Sequence, residues 1–241
     1  MRHQVARALG RLGLSATDVA ARLGVDPKTV ERWYAGRLPY PRHRAALAEM
    51  TGWPERDLWP GVTRTAGESA IDEVRHAYPH RSSVPSERWL HLFANAQREI
   101  CILAYSALFL AEDAGILRTL RERASAGVRV RVALGDPDGG HIARRGTEEG
   151  INGVMAARVR NALILFRPLV NDAGVEMRVH DTVLYNSIFR ADSELLVNVQ
   201  VYGCPASLTP VLYLRRTLDD GMASTYARSF ERVWASGRTV T

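Results

Sequence analysis

Thr17-Asp18-Val19-Ala20-Ala21-Arg22-Leu23-Gly24-Val25-Asp26-Pro27-Lys28-Thr29-Val30-Glu31-Arg32-Trp33 carries the sharpest structural signal in this 241-residue chain. Its spacing predicts two helices that meet at a wide angle. Ala20 has to be small because the second helix crosses close over it, and Gly24, four residues on, permits the tight turn between them. Val25 and Val30 are expected to fill the space where the two helices touch. Ser15 is the expected N-cap of the first helix. Asp26 caps the second, with Pro27 at its first position, where the missing N–H costs nothing. Upstream, Val5, Ala8, Leu9 and Leu12 have helical spacing as far as Gly13. Downstream, a fourth helix is expected from about Arg42 to Met50, and Trp53-Pro54-Glu55 opens a short last turn. Residues 1–60 therefore read as an all-α domain, and residues 61–67 as a polar linker without periodicity.

The same segment resembles the helix-turn-helix of the xenobiotic-response-element regulators, the family of the phage Cro and repressor proteins. The resemblance covers about residues 3 to 60, and Arg32-Trp33-Tyr34-Ala35-Gly36-Arg37, followed by Pro39 and Pro41, is similar to that family's exit from its recognition helix. It departs from the pattern early in the second helix, where Thr17-Asp18 stands in place of a Gln or Glu. The resemblance implies that the third helix enters the major groove of a double-stranded DNA operator. Lys28, Thr29 and Arg32 then lie on its outward side, with Arg32 suited to a guanine edge and Lys28 to a base or phosphate. Arg37, Arg42 and Arg44 are expected on the phosphate backbone, and Thr17 is the contact candidate of the second helix. The alternative is a small helical bundle for protein contacts, its basic residues merely solvated.

A net charge of +6 and a pI near 9.7 suit a polyanionic partner, or reflect simple enrichment in arginine. Lys28 is the only lysine. With 46% hydrophobic residues the chain can bury a sizeable core. Cys101 and Cys204, in or beside apolar runs, are too few for a disulfide framework and read as reduced core residues. No signal pattern and no membrane-spanning apolar run is present, so the expectation is a cytoplasmic protein without a membrane partner.

Residues 68–241 change period. Ile100-Cys101-Ile102-Leu103-Ala104-Tyr105 is a continuous apolar run, as in a strand covered on both faces. Ile116 to Ala124 reads as a helix, and Val128, Val130, Val132 and Leu134 alternate with Arg129 and Arg131 as a strand. One long helix from Thr147 to about Val170 is expected next, then strands at about Glu176 to Arg190 and Leu195 to Tyr202, joined by a turn at Asp192-Ser193. A helix from Thr225 to Trp234 closes the chain. Strand–helix–strand order of this kind predicts an α/β domain, so the fold class is α + α/β.

Within it, Leu184-Tyr185-Asn186-Ser187-Ile188-Phe189-Arg190-Ala191-Asp192, followed by Leu195-Leu196-Val197, resembles the signature hairpin of the phospholipase D superfamily. Phe230-Glu231-Arg232-Val233-Trp234 is similar to that family's last helix. The family's His-x-Lys-x-x-x-x-Asp falls on Tyr185, Ser187 and Asp192. Phosphodiester cleavage in that family needs a histidine nucleophile and a cation for the developing phosphate charge. A tyrosine, with its pKa of about 10, is a poor substitute near neutrality. Ser187 carries no charge, the domain has no lysine, and strand alternation would turn His180 away from Tyr185.

The resulting expectation is a transcriptional regulator whose C-terminal domain is no enzyme but dimerises and senses a small-molecule effector. Tyr185 and Ser187 are expected on one face of their strand, and Asn198, Gln200 and Tyr202 on one face of the next, forming a polar floor for the ligand. Tyr105 and Ser106 at the end of the first strand, Asp136 in the loop after the second, Arg144 and His180 complete the candidates. No metal site and no cofactor are expected: the seven histidines are scattered, and the acidic loop lacks the length and Glu of a calcium site. Two alternatives are a DNA-targeted phosphodiesterase of the phospholipase D superfamily and an adaptor whose second domain binds a protein.

Overall fold

The computed structural model describes residues 4–59, 73–170, 172–217 and 221–240. The chain divides into two compact units, 1–65 and 66–241. The linker expected at 61–67 lies outside the described residues.

The first unit contains α1 (Gln4–Arg11), α2 (Ala16–Leu23), α3 (Pro27–Tyr34), α4 (Pro41–Thr51) and α5 (Glu55–Leu58). Ser15 and Asp18 close a reciprocal capping box on α2: the Asp18 amide donates to Ser15 Oγ at 3.2 Å, and the Ser15 amide donates to Asp18 Oδ2 at 2.8 Å. The helix stops at Gly24, whose φ of 63° is the left-handed conformation that a residue without Cβ takes at least cost. Asp26 Oδ1 accepts from the Lys28 amide at 2.8 Å and starts α3. Val5, Leu9, Val19, Ala20, Val30, Trp33, Leu47 and Leu58 are buried together, whereas Val25 is only partly covered at the margin of this core. Leu12 falls beyond the end of α1 and is half exposed, so it does not extend the buried stripe of that helix.

The described residues of the second unit form one eight-stranded mixed sheet. Its strands are β1 (Val74–Tyr78), β2 (Glu99–Ala104), β3 (Arg129–Gly135), β4 (Val175–His180), β5 (Asn186–Ala191), β6 (Glu194–Val199), β7 (Val211–Arg215) and β8 (Arg238–Thr239). They lie in the order β1-β7-β6-β5-β2-β3-β4-β8. Only β2, β3 and β4 run parallel to one another, so the sheet departs from the purely parallel arrangement of a doubly wound α/β fold. The helices are α6 (Ser86–Ala94), α7 (Leu108–Ala111), α8 (Ala114–Ser125), α9 (Gly140–Glu148), α10 (Val154–Val170) and α11 (Met222–Ser236). Ile100 and Ile102 of β2 enter one hydrophobic cluster, and Cys101 and Leu103 the other. Both faces of the central strand are thus covered, which is why its sequence is a continuous apolar run.

Two elements differ from their sequence expectation. The single helix from Thr147 to Val170 is instead the end of α9, a turn, and α10. The amides of Ile151 and Asn152 both donate to the Gly146 carbonyl, at 2.9 and 2.8 Å, and a Cβ on Gly146 would collide with the Asn152 backbone. The single strand from Glu176 to Arg190 is two strands. β4 pairs with β3 and β8, β5 with β2 and β6, and residues 181–185 cross between them.

Candidate functional sites

Where β2 ends, Tyr105-Ser106-Ala107 turns out of the sheet, with Ala107 in the left-handed region at φ 49°. This turn forms one wall of a cavity of about 80 Å³. Arg81 reaches it from a 3₁₀ turn (Arg81–Ser83), Glu149 from the end of α9, Arg158 from α10, Ser187 from β5 and Gln200 from beyond β6. A second 3₁₀ turn (Ala206–Leu208) supplies Ala206 and Ser207. The Arg81 amide donates to the Thr209 carbonyl at 3.0 Å, which ties the two turns together.

The charges in this cavity are of two kinds. Glu149 is already committed: it accepts from Arg145 Nε at 2.7 Å, with both side chains almost fully buried. Arg145 also donates to the Cys204 carbonyl at 2.8 Å and so fixes the segment after β6. Arg81 and Arg158, by contrast, have no ion pair among the described residues. The Arg81 guanidinium lies 4.1 Å from the centre of the Phe109 ring. Burial drives its pKa down to about 10, against the pull of Glu149 and with the like charge of Arg158 adding to it, so it stays cationic at neutral pH. Ser187, buried, accepts from Gln200 Nε2 at 3.2 Å, and the other end of that amide has no partner.

Of the ligand residues expected from sequence, Tyr105, Ser106, Ser187 and Gln200 line this cavity. The Tyr105 hydroxyl accepts from the Leu184 amide at 2.9 Å. The others do not join them. Tyr185 precedes β5 instead of alternating with Ser187 along it, and is 79% exposed; Tyr202 is 80% exposed beyond β6. Asn198 is fully buried, and its amide donates to Thr209 Oγ1 at 2.8 Å and to the Pro210 carbonyl at 3.1 Å, bracing the crossover to β7. Asp136 accepts from Arg238 at 2.9 Å and from the Asp138 amide at 3.1 Å. Arg144 lies outside on α9, paired with Glu148 at 3.1 Å. His180 is buried at the end of β4 without a hydrogen-bond partner for either ring nitrogen, and burial lowers its pKa to about 4.

Asp192, the one signature residue retained, has a different task. It accepts the amides of Gln97, Arg98 and Glu99 at 2.7, 3.0 and 3.0 Å, at the opposite end of β5 from Ser187. Burial pushes its carboxyl up, and these three donors outweigh that and hold its pKa below the usual value. Arg81, Glu149, Arg158 and Ser207 were not found from sequence. Arg81 sits in a stretch to which no periodicity assigns an element, and its only signal is an arginine between turn residues. Among the described residues, no three His, Cys, Asp or Glu side chains gather as a metal site.

In the first unit, Lys28 and Arg32 are exposed on α3 and Thr29 is half-buried, while Val30 and Trp33 face the core. Thr17 is exposed in the first turn of α2, and Arg37 and Arg42 are exposed, with Arg42 Nε 3.2 Å from His43 Nε2. Arg44 is not available to a phosphate. It is 6% exposed, its Nε bonds to Glu55, and another of its N–H groups donates to the Pro39 carbonyl at 3.2 Å. Its guanidinium joins α4 to α5 and the turn before α4.

No protein-family model and no curated protein matches the chain. Among solved structures it is similar to TrmBL2, an archaeal chromatin protein described as showing a novel mode of DNA binding. Identity is 12% and the TM-score 0.46, over 68% of this chain and 54% of that one. It thus spans about half the length of TrmBL2. It is similar also to Nuc from Salmonella typhimurium, a phospholipase D family member (14% identity, 64% of this chain and 89% of that one, TM-score 0.39). A third is NucT from Helicobacter pylori (9% identity, 68% and 96%, TM-score 0.40). These neighbours correct the expectation that the chain is no enzyme. The loss of His and Lys at positions 185 and 187 does not license an inactive domain, and that reading is withdrawn. No helix of the described residues is long and apolar enough to cross a membrane.

Proposed function

We propose that the chain is a DNA-binding transcriptional regulator in which the first unit is a helix-turn-helix of the xenobiotic-response-element kind and α3 enters the major groove. The observation that carries this reading is the outward face of α3. Lys28 and Arg32 project from it without a carboxylate partner among the described residues, while Val30 and Trp33 anchor its other side. Arg32 then takes a guanine edge, Lys28 and Thr29 adjacent groups, and Arg37 and Arg42 the phosphates, with Thr17 bordering them from α2. A single motif of this size reads few base pairs, so two copies are expected to pair, through the second unit, on a two-fold operator. The test is selection of double-stranded DNA from a random pool by the full chain. Enrichment of a half-site repeated about one DNA turn apart supports the reading; failure to retain any duplex at low salt would overturn it.

A second reading, a phosphodiesterase brought to DNA by the first unit, has its own observation. The hydroxyls of Ser106 and Ser187 share a cavity with two unpaired arginines, a nucleophile class beside the positive charge that phosphoryl transfer needs. Incubation with a chromogenic phosphodiester and with plasmid DNA tests it. Turnover abolished by Ser187→Ala supports it, and no turnover of either substrate removes it.

A further inference from the structure

We propose that the cavity at the end of β2 is a phosphate-group site, with Arg81 and Arg158 as its cations and Ser187 and Gln200 as its neutral hydrogen-bonding groups. The inference deepens the second reading by naming the group bound, and it holds whether the ester is cleaved or only kept.

The argument begins with an imbalance of charge. Arg145 and Glu149 cancel, which leaves two guanidinium groups on one small cavity without an internal counter-ion among the described residues. Arg81 is half-buried, and taking a cation partly out of water is unfavourable until an anion meets it. Buried arginines elsewhere in this unit follow that rule: Arg131 and Arg190 bind Glu99, and Arg145 binds Glu149. Arg81 and Arg158 therefore stand out as a pair whose partner is external.

The shape and donors narrow the class. A cavity of about 80 Å³ accommodates a group of a few heavy atoms, with the remainder of any ester left at the mouth. A phosphomonoester carries between one and two negative charges near neutrality and presents three oxygens, matching two guanidinium forks. Gln200 completes the fit. With its oxygen accepting from the Ser187 hydroxyl, both of its N–H groups are free to donate, and the buried amide atom that lacks a partner acquires one. A carboxylate, with one charge and two oxygens, would leave one arginine uncompensated.

Isothermal titration of the full chain with inorganic phosphate, acetate, adenosine monophosphate and a 5′-phosphorylated single-stranded oligonucleotide tests this. Phosphate is expected to bind at least tenfold more tightly than acetate, and Arg158→Gln to weaken it at least tenfold. Arg158 is an exposed residue on α10, so this variant keeps the fold even if Arg81→Gln does not. Tighter binding of the monophosphate than of the oligonucleotide identifies a small metabolite as the source; the reverse identifies a nucleic-acid end. Lys28→Ala with Arg32→Ala should leave phosphate affinity unchanged while abolishing duplex binding, which separates this site from the DNA reading. Phosphate retention without any hydrolysis would sink the phosphodiesterase and not the site. Equal affinity for acetate, undiminished affinity in Arg158→Gln, or no binding of any phosphate at millimolar concentration overturns the proposal.

Discussion

In the first unit Lys28, Arg32, Arg37 and Arg42 stand in solvent without a carboxylate partner among the described residues, whereas across the sheet of the second unit Arg131, Arg145 and Arg190 are buried and each meets a glutamate. Arg131 illustrates the second manner. It makes two 2.7 Å hydrogen bonds to Glu231 and a third of 2.9 Å to Glu99, and it lies 4.8 Å from the centre of the Phe230 ring. Arg190 reaches Glu99 from the neighbouring strand. A net charge of +6 is therefore the sum of populations with unlike duties. The buried arginines are structural because desolvation forces them to find anions within the fold. The exposed ones, already solvated, remain free for a partner.

The largest expected effect breaks the buried manner directly. Glu99→Gln leaves Arg131 and Arg190 without their shared carboxylate, and should cost about 3–5 kcal/mol in urea unfolding at neutral pH. A loss below about 1 kcal/mol would mean that Glu231 alone satisfies both cations. His180 is a buried titratable group with no partner at all. Its pKa is about 4 in the fold against 6.5 for an ordinary histidine. The unfolded chain therefore takes up its proton first as pH falls. Stability should drop between about pH 6.5 and 4, by at most about 3 kcal/mol. His180→Leu should flatten that portion of the unfolding-versus-pH curve, and an unchanged slope would refute the assignment.

Arg32→Ala sharpens the other side of the comparison. Urea stability should stay within about 0.5 kcal/mol of the parent, as for a solvated surface residue. Discrimination between the selected operator and unrelated duplex should fall by about 1–3 kcal/mol in competition binding. A variant that keeps its discrimination removes Arg32 from base contact. The smallest effect concerns the helix that presents these residues. Asp26→Ala removes the cap of α3 and should lower thermal stability by an amount equivalent to about 1 kcal/mol; no shift in melting temperature would show the cap to be dispensable.

Local chemistry made part of this structure legible in advance. Ser15, Gly24, Asp26 and Pro27 act through hydrogen bonds or dihedral preferences within a few residues, and the cap and turn geometry follows from them. β2 and β3 were equally plain, because their faces impose a pattern on the chain itself. The break within 176–190 was not. His180-Asp181-Thr182-Val183-Leu184 contains neither Gly nor Pro, and only pairing with different neighbours divides β4 from β5. That division is also why Tyr185 lies outside the cavity that Ser187 enters. Strands β1, β7 and β8 and helix α6 carried no pattern strong enough to be assigned.

The sequence by itself determined where helices begin in the first 60 residues, which side of α3 is cationic, and that strands with apolar faces form the middle of the second unit. Only the tertiary structure decided which charges remain uncompensated. Arg44, placed by sequence among the phosphate contacts, is spent on Glu55, eleven residues away. Arg81, which no motif marks, meets Ser106, Arg158, Ser187 and Gln200 across more than a hundred residues of chain. The physical reason is the range of the interactions. Capping and periodicity act over a few bonds, whereas the partner of a charge is settled by whatever the packed fold brings within hydrogen-bonding reach.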